Sequence, residues 1–572
     1  MGRAHVVLLF LAVVAITGGC SAKYYRKSAD KEAYRAIQQK SAAVPNMDGQ
    51  FTIEQTNALS FAALPIATNA PEFLGQYAAR ESTARVLSLE EALDFATTQN
   101  RTYQSRKEDL YLSALGLTLA RYRWTPIFGA GGSAAVSGEA KRRVETIVFT
   151  TAGRTNSVLI DRVFEDRNVF AEGHVNVSWL LRDVGRISAA FTTDFLRYLT
   201  GDPRTITSSR VGATFVRPLL RNAGFKAELE ALTQAERDLL YDSRSFAQYR
   251  KAFSVQVASA YYAVLGHRDT VRNSHLNLLS SRKNAERTRA LAGEGRVTQA
   301  DLGRLEQQEL SAEGTWNNAL RAYKQALDSF KLLHLGVAVD TNLILDDREL
   351  DALTIQHPNI NPDDAVKVAL AARLDYQNAQ DVRDDSMRKV ELAANFLKPQ
   401  LDFVASGGFN SPLQRTGFPT PDPDRYHWSA GLDVDLPIDR KAERNVYREA
   451  LIGEKRAARA AERHADEIRL EVREGWRALD QAKRNYEISE LGVKIAERRV
   501  EEQNLLAELG RAKAQDQVDA QNDLITSKNQ RTQALVGHTI ARLQFWSNMG
   551  ILYIKDNGQW RELRDSDVQQ TQ

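Results

Sequence analysis

The 572-residue sequence predicts an α+β membrane protein in which long α-helical hairpins alternate with β-strands, built as an internal tandem repeat. Three observations carry this expectation. Residues at successive structural transitions recur in the same order in two halves of the chain. Two stretches of about 70 residues hold no proline and read as uninterrupted helix. Segments bordered by prolines alternate apolar with polar residues at period two, as strands with one apolar face do.

The repeat is read residue by residue. Leu89 to Ala96, through Tyr103-Gln104, aligns with Pro362 to Ala369, through Tyr376-Gln377, at one constant offset. The same offset carries Trp124-Thr125-Pro126 onto Leu397-Lys398-Pro399, where a helical pattern stops at proline and alternation begins. Phe215 to Leu219 then matches Val434 to Ile438, a strand ending at Pro218 or Pro437. Finally Gly295-Arg296 and Asp301 match Gly510-Arg511 and Asp516. These anchors define a first repeat over 87–336 and a second over 362–551, joined by a linker at 337–361 and flanked by an N-terminal extension, 20–86, and a tail, 552–572.

The long helical stretches run from Ala223 to Ala292 and from Lys441 to Leu509. In the second, Val472, Leu479, Tyr486, Val493 and Val500 recur every seven residues, with Gly475, Ala482, Ser489 and Ala496 three positions after the first four. That is a coiled-coil seam whose second row is small, suited to helices packed side by side. At 1.5 Å per residue each stretch makes a rod of roughly 100 Å. Glycines, Gly293 with Gly295 and then Gly510, turn each rod back on itself. A single opening helix of each half covers the part of the rod that the returning helix leaves bare.

Among the strands, Leu401, Phe403 and Ala405 alternate with Asp402, Val404 and Ser406, and Trp428, Ala430, Leu432, Val434 and Leu436 alternate with Ser429, Gly431, Asp433 and Asp435. One apolar face per strand fits a barrel with lipid outside and water inside. Tyr426, His427 and Trp428, beside the proline-rich segment Pro412 to Pro423, fit an interfacial aromatic belt. The first half is longer between its prolines. Val175, Val177 and Trp179, a turn at Asp183 to Gly185, then Ile187, Ala189, Phe191 and Phe195 predict an extra hairpin, and Ala140 to Asp166 reads as a loop.

The N-terminus has the build of an export signal over 1–19: Arg3, an apolar run from Val6 to Ile16, and the small residues Thr17-Gly18-Gly19. Cys20, the one cysteine, follows immediately and is expected to be the acylated first residue of a lipoprotein. Ser21 fits outer-membrane delivery. Apart from the signal, no apolar run is long enough for a membrane-spanning helix. A formal net charge of +3 argues against nucleic acid as partner. Catalysis has no support either. His267, His275 and His464 lack a second ligand at metal spacing, and Gly129-Ala130-Gly131-Gly132 lacks the lysine and helix of a phosphate loop. No metal or cofactor is expected.

Together the repeated helix–strand–strand–helix unit, the border prolines Pro126, Pro218, Pro399 and Pro437, the tip glycines Gly295 and Gly510 and the lipoprotein start resemble the TolC-type outer-membrane efflux family, over Leu87 to Ile551. The resemblance implies a homotrimer whose strands complete one outer-membrane β-barrel and whose helices form a periplasmic tunnel. It implies a passive duct, coupled through a periplasmic adaptor (membrane fusion protein) to an inner-membrane transporter. It also implies a periplasmic gate at Asp516 and Asp519, with Arg511 and Lys513 as pairing partners and Asp301 as the candidate of the first half. Ala512 stands where the family carries a gate arginine, and the extra hairpin departs from the family's usual four strands per subunit. The tips, Arg289 to Val297 and Ala507 to Ala514, are the expected adaptor contacts. A type I protein-secretion duct and a periplasmic coiled-coil adaptor or scaffold lipoprotein are the alternatives; an adaptor would carry one hairpin rather than two.

Overall fold

A computed structural model describes residues 21–47, 51–54, 60–68, 71–151, 153–200, 205–414, 419–509, 511 and 513–561. The signal segment, the lipidation candidate Cys20 and the tip glycine Gly510 lie outside the described residues. The chain divides into two compact units, one of residues 116–237 and 383–456, the other of 1–115, 238–382 and 457–572.

The first unit is built on a six-stranded antiparallel sheet: β2 (Ile127–Thr151), β3 (Arg154–Leu181), β4 (Gly185–Tyr198), β5 (Thr205–Pro218), β7 (Gln400–Asn410) and β8 (Tyr426–Asp435), in the order β2-β3-β4-β5-β7-β8. Because side chains alternate across a strand, register decides what each face presents. Phe128 pairs with Val177, Val177 with Ala189, Ala189 with Ala213, Ala213 with Gly407, and Gly407 with Trp428. One step along, Trp179, Ile187, Phe215, Ala405 and Ala430 form a second apolar row. The opposite face carries His174, Thr192, Arg210 and Asn410 in one row, and Glu172, Asp194 and Ser208 in another. Trp428 and Leu432 are 74% and 62% exposed, so within one chain nothing covers the apolar face of β8.

The expected extra hairpin is the β3–β4 pair, with Val175, Val177 and Trp179 opposite Phe191, Ala189 and Ile187. The expected loop from Ala140 to Asp166 is corrected. These residues continue β2 and β3 in register, from Ala140 opposite Glu165 to Thr151 opposite Arg154, and turn at Gly153, φ +78°. Charged residues there interrupt the apolar alternation, so the pattern reads as loop although the backbone is a regular ladder. The prolines sit where a missing N–H costs no ladder bond: Pro126 and Pro399 just ahead of β2 and β7, Pro218 at the end of β5, Pro437 just past β8.

The second unit is helical. Its extension begins with α1 (Ala22–Ser41), followed by β1 (Arg85–Leu87), which pairs in parallel with β6 (Leu343–Leu345). The opening helix of each half is not single, which corrects the expectation. It is split into α2 (Leu89–Gln99) and α3 (Arg101–Tyr122) in the first half, and α6 (Pro362–Ala372) and α7 (Leu374–Phe396) in the second. The long helices α4 (Lys226–Gly293) and α8 (Lys441–Glu508) have 68 residues each and return as α5 (Gln299–Ser329), continued by a π-helical turn over Phe330–Leu335, and α9 (Ala514–Asn548). Of the seam of α8, Val472, Leu479, Val493 and Ala496 are buried.

The two helix breaks, at Asn100 and Arg373, obey one physical rule. Both residues have extended backbone, with ψ of 121° and 122°. Each side chain reaches the last turn of its half's closing helix: Asn100 donates to the carbonyls of Leu333 (2.8 Å) and His334 (3.0 Å), Arg373 to that of Asn548 (3.3 Å). Those carbonyls have no partner in their own helix and need an outside donor. The closing helices end at Gly336, φ +75°, and Gly550, φ +76°. A Cβ on Gly336 would stand 2.7 Å from the Gln99 carbonyl oxygen, and one on Gly550 would stand 3.1 Å from Arg373 Cγ.

The N-terminal extension and the tail pack onto these helices. Tyr111 donates to Asp30 (2.7 Å), and Phe51 stacks edge-on against Phe246. Arg268, buried, binds Glu81 (2.5 Å), Asp347 (2.9 Å) and the Tyr323 hydroxyl (2.8 Å). In the tail Leu552 and Ile554 are buried, and Arg250 donates to the Lys555 carbonyl (3.1 Å).

Gly336→Ala should lower stability by about 1–3 kcal/mol, because it combines a left-handed backbone with a clash against fixed backbone. Thermal unfolding of the purified protein measures this. A Gly314→Ala control has open space at its Cβ position and should leave the midpoint unchanged or raise it slightly.

Candidate gate and tip region

The two helical turns share their backbone chemistry. At the first, the N–H of Arg296 bonds the Leu291 carbonyl (3.0 Å), with Gly295 at φ +70°. At the second, the N–H of Arg511 bonds the Leu506 carbonyl (2.8 Å), again five residues back. At the first turn this is the closing bond of a glycine-capped helix end. The turns lie together. Ala285, Leu305 and Ala514 form one apolar cluster with Val518 against it, and Gln308 donates to Asn522 (2.9 Å).

Side chains at the two turns differ. Thr298 caps α5: its hydroxyl accepts from the Asp301 N–H (3.1 Å) and donates to the Asp301 carboxylate (2.6 Å). Asp301 also lies 3.9 Å from Arg304, so its charge is engaged within its own helix. The matching N-cap of α9 is Lys513, whose side chain makes no capping bond. Asp516 is exposed and, among the described residues, makes no side-chain hydrogen bond or ion pair. Asp519, half-buried, accepts from Gln515 (2.8 Å). Asp516, Asp519 and Asp523 follow at three and four residues and so share one face of α9; Asp523 is ion-paired with Arg499 of α8. Within one chain neither Arg511 nor Lys513 pairs with Asp516 or Asp519 among the described residues. The Arg499–Asp523 pair escapes sequence reading because its partners come from different helices of one hairpin.

Polar contacts also hold the two hairpins to each other. Asn273 of α4 donates to Asn529 of α9 (2.9 Å), and Thr532 donates to Asp269 (2.7 Å). Beyond them lies His538, fully buried beside the His357 ring at 6.0 Å, with no hydrogen-bond partner on either ring nitrogen among the described residues. Burial, then the neighbouring His357, Arg542 and Lys483, push its pKa down to about 4. Among the described residues no three His, Cys, Asp or Glu side chains converge as a metal site, and no helix is long and apolar enough to cross a membrane.

His538 stays neutral in the folded protein, whereas an unfolded histidine titrates near 6.5. Between those values the unfolded chain binds more protons, so stability is present above pH 6.5 and is lost as pH falls toward 4. Melting temperatures from pH 7 to pH 4 should fall for the unsubstituted chain and fall less for His538→Phe; parallel curves would reject the assignment.

No family model matches the chain, and no curated protein matches its sequence. Solved structures do. The chain is similar to the CmeC outer membrane channel of Campylobacter jejuni, at TM-score 0.58 and 12% identity over 84% of this chain and 89% of that one. It is similar to the outer membrane protein VceC of Vibrio cholerae, at TM-score 0.58 and 13% identity over 81% and 96%. It is also similar to the open state of the MtrE outer membrane channel of Neisseria gonorrhoeae, at TM-score 0.56 and 12% identity over 89% and 97%. At these identities the likeness is one of fold: the chain has the TolC-type outer-membrane channel fold.

Proposed function

We propose that three copies of this chain form a passive outer-membrane efflux duct, lipid-anchored at Cys20, that receives substrates from an inner-membrane transporter through a periplasmic adaptor. The observation that carries this reading is the six-stranded sheet with one apolar face and two open edges. Lipid supplies no hydrogen bonds to an open strand edge, so a sheet with an apolar outer face has to close. Six strands are fewer than the eight of the smallest single-chain barrels, which leaves closure to further copies. Trimeric closure gives 18 strands, a number at which barrels enclose an aqueous channel. An exposed apolar stripe on α8, Ile488, Leu491 and Ile495 at helical spacing, adds a lateral surface for a neighbouring copy.

In this reading the chain arose by duplication, which the matching helix breaks at Asn100 and Arg373 and the matching terminal glycines Gly336 and Gly550 support. Three copies of the Asp516 and Asp519 face form acidic rings where the tunnel narrows, and the tips at 289–297 and 507–514 meet the adaptor. Two hairpins and a one-sided sheet speak against an adaptor or scaffold lipoprotein.

The unheated protein should run as a trimer-sized band from the outer-membrane fraction and collapse to the monomer on boiling. Release with soluble periplasm would remove the duct. The double variant Asp516→Ala, Asp519→Ala should raise single-channel conductance at least two-fold in planar bilayers; unchanged conductance would remove the gate. Cysteines placed at the tips should crosslink to an adaptor in cells.

A further inference from the structure

Ahead of β1 the N-terminal extension closes a pocket on α5. Residues 72–77 form a single 3-10 turn and a half whose side chains, with those of α5, enclose about 460 Å³. The base is apolar, because Leu74 and Leu320 are both buried. One wall is the indole of Trp316. Its Nε1–H donates to the Phe73 carbonyl (2.8 Å), so the extension's own backbone fixes the ring. Gly75, φ +55°, lets that backbone approach: a Cβ there would stand 2.9 Å from Trp316 Cη2. The other wall is the Tyr77 ring, with the Lys324 ammonium over its face.

The charge at this pocket is one-sided. Arg321 and Lys324 line it, and no Asp or Glu does. Among the described residues neither cation makes an ion pair. Along α5, the residues three and four away from Arg321 are Asn317, Asn318, Lys324 and Gln325, so its own helix offers it no acid. Asp328, one turn past Lys324, forms no ion pair with it and acts on the buried Lys331. Acids of the extension are engaged elsewhere: Glu81 holds Arg268 and the Tyr323 hydroxyl, and Glu72 acts on His275. Two like charges three residues apart weaken a helix slightly, and nothing in the chain offsets them here.

We propose that this pocket binds a small organic anion, a carboxylate held between Arg321 and Lys324 on an aromatic body that enters between Trp316 and Tyr77. The guanidinium fork matches the two oxygens of a carboxylate, and the ammonium adds a second charge at the same place. Leu74 and Leu320 receive the apolar end. The volume lies within the roughly 300–1,000 Å³ of small-molecule pockets. A neutral body of the same shape leaves both cations unanswered, and a cationic one is repelled. Every residue of the site belongs to one chain, so the proposal does not depend on the trimeric duct. Because the walls come from both the extension and α5, an occupied pocket also ties the extension to the helix and stabilises the joined state.

The test is isothermal titration of the full-length, detergent-solubilised protein with 2-naphthoate, 2-naphthamide and 2-naphthylmethylammonium, with protein-free micelles as the partition blank. Naphthoate should bind saturably, one per chain, at least ten-fold more tightly than the amide, and the ammonium should show no saturable binding. The double variant Arg321→Gln, Lys324→Gln should weaken naphthoate ten-fold or more and leave the amide unchanged. Asn317→Trp, at an exposed position of α5 on the pocket, should block both by filling it. Melting curves without probe show whether each variant folds, and the probe series on the unsubstituted chain decides the matter where one does not. No saturable naphthoate binding, equal binding of naphthoate and amide, or undiminished naphthoate binding in the folded double variant overturns the proposal.

Discussion

The constraint on which the structure depends is an unclosed sheet with one apolar face. Its outermost strands, β2 and β8, have unpaired outer edges, and its apolar rows run unbroken from Phe128 to Trp428. In water the apolar face is the liability; in lipid the edges are, because each unpaired N–H or carbonyl there costs several kcal/mol. A single chain cannot meet both demands. The remaining sequence choices in the sheet follow from this. Glycine and alanine occupy the inner rows where β5, β7 and β8 approach closely, with large residues at the ends of those strands. Prolines are confined to strand borders, and charge appears on β2 only where it and β3 leave the other strands.

The helical unit answers a different problem, how to end a helix against another helix without orphaned carbonyls. Both halves solve it with a left-handed glycine and a side chain from the break in the opening helix, but with different chemistry. Asn100 uses a neutral amide that is itself held by the Tyr103 N–H (3.0 Å). Arg373 is charged and buried, and is balanced by Asp375 and Glu471, with His464 3.4 Å from Asp375. A buried guanidinium without its acids would be strongly destabilising, so the second joint recruits α8 where the first does not.

Much of this was legible in the sequence because its signals are local. Proline at a strand border and glycine at a helix end act through their own backbone, and seam residues such as Val472 and Leu479 act at fixed spacing, so element order and tips could be read directly. The extra hairpin was readable from Val175 to Phe195 for the same reason. What escaped depends on partners far apart in the chain. The breaks at Asn100 and Arg373 look helical because neither residue forbids helix, and only the carbonyls of Leu333 and Asn548 give them another role. The ribbon from Ala140 to Asp166 looked like a loop because charged residues interrupt its apolar alternation, while the pairing that makes it a ladder joins positions up to 25 residues apart.

That last point bears on how the two halves diverged. At the first turn Thr298 gives its hydroxyl to the Asp301 backbone and holds the carboxylate, which leaves the charge within its own helix. At the second, lysine stands at the cap position and its side chain makes no capping bond, so the first turn of α9 lacks the side-chain acceptor that Thr298 supplies to α5. An uncapped helix start is less stable by about 1 kcal/mol, and its aspartates are left to interact outward. The second hairpin is therefore the one whose returning helix starts without a side-chain cap and whose Asp516 carboxylate is left exposed, whereas Asp301 is held by Thr298.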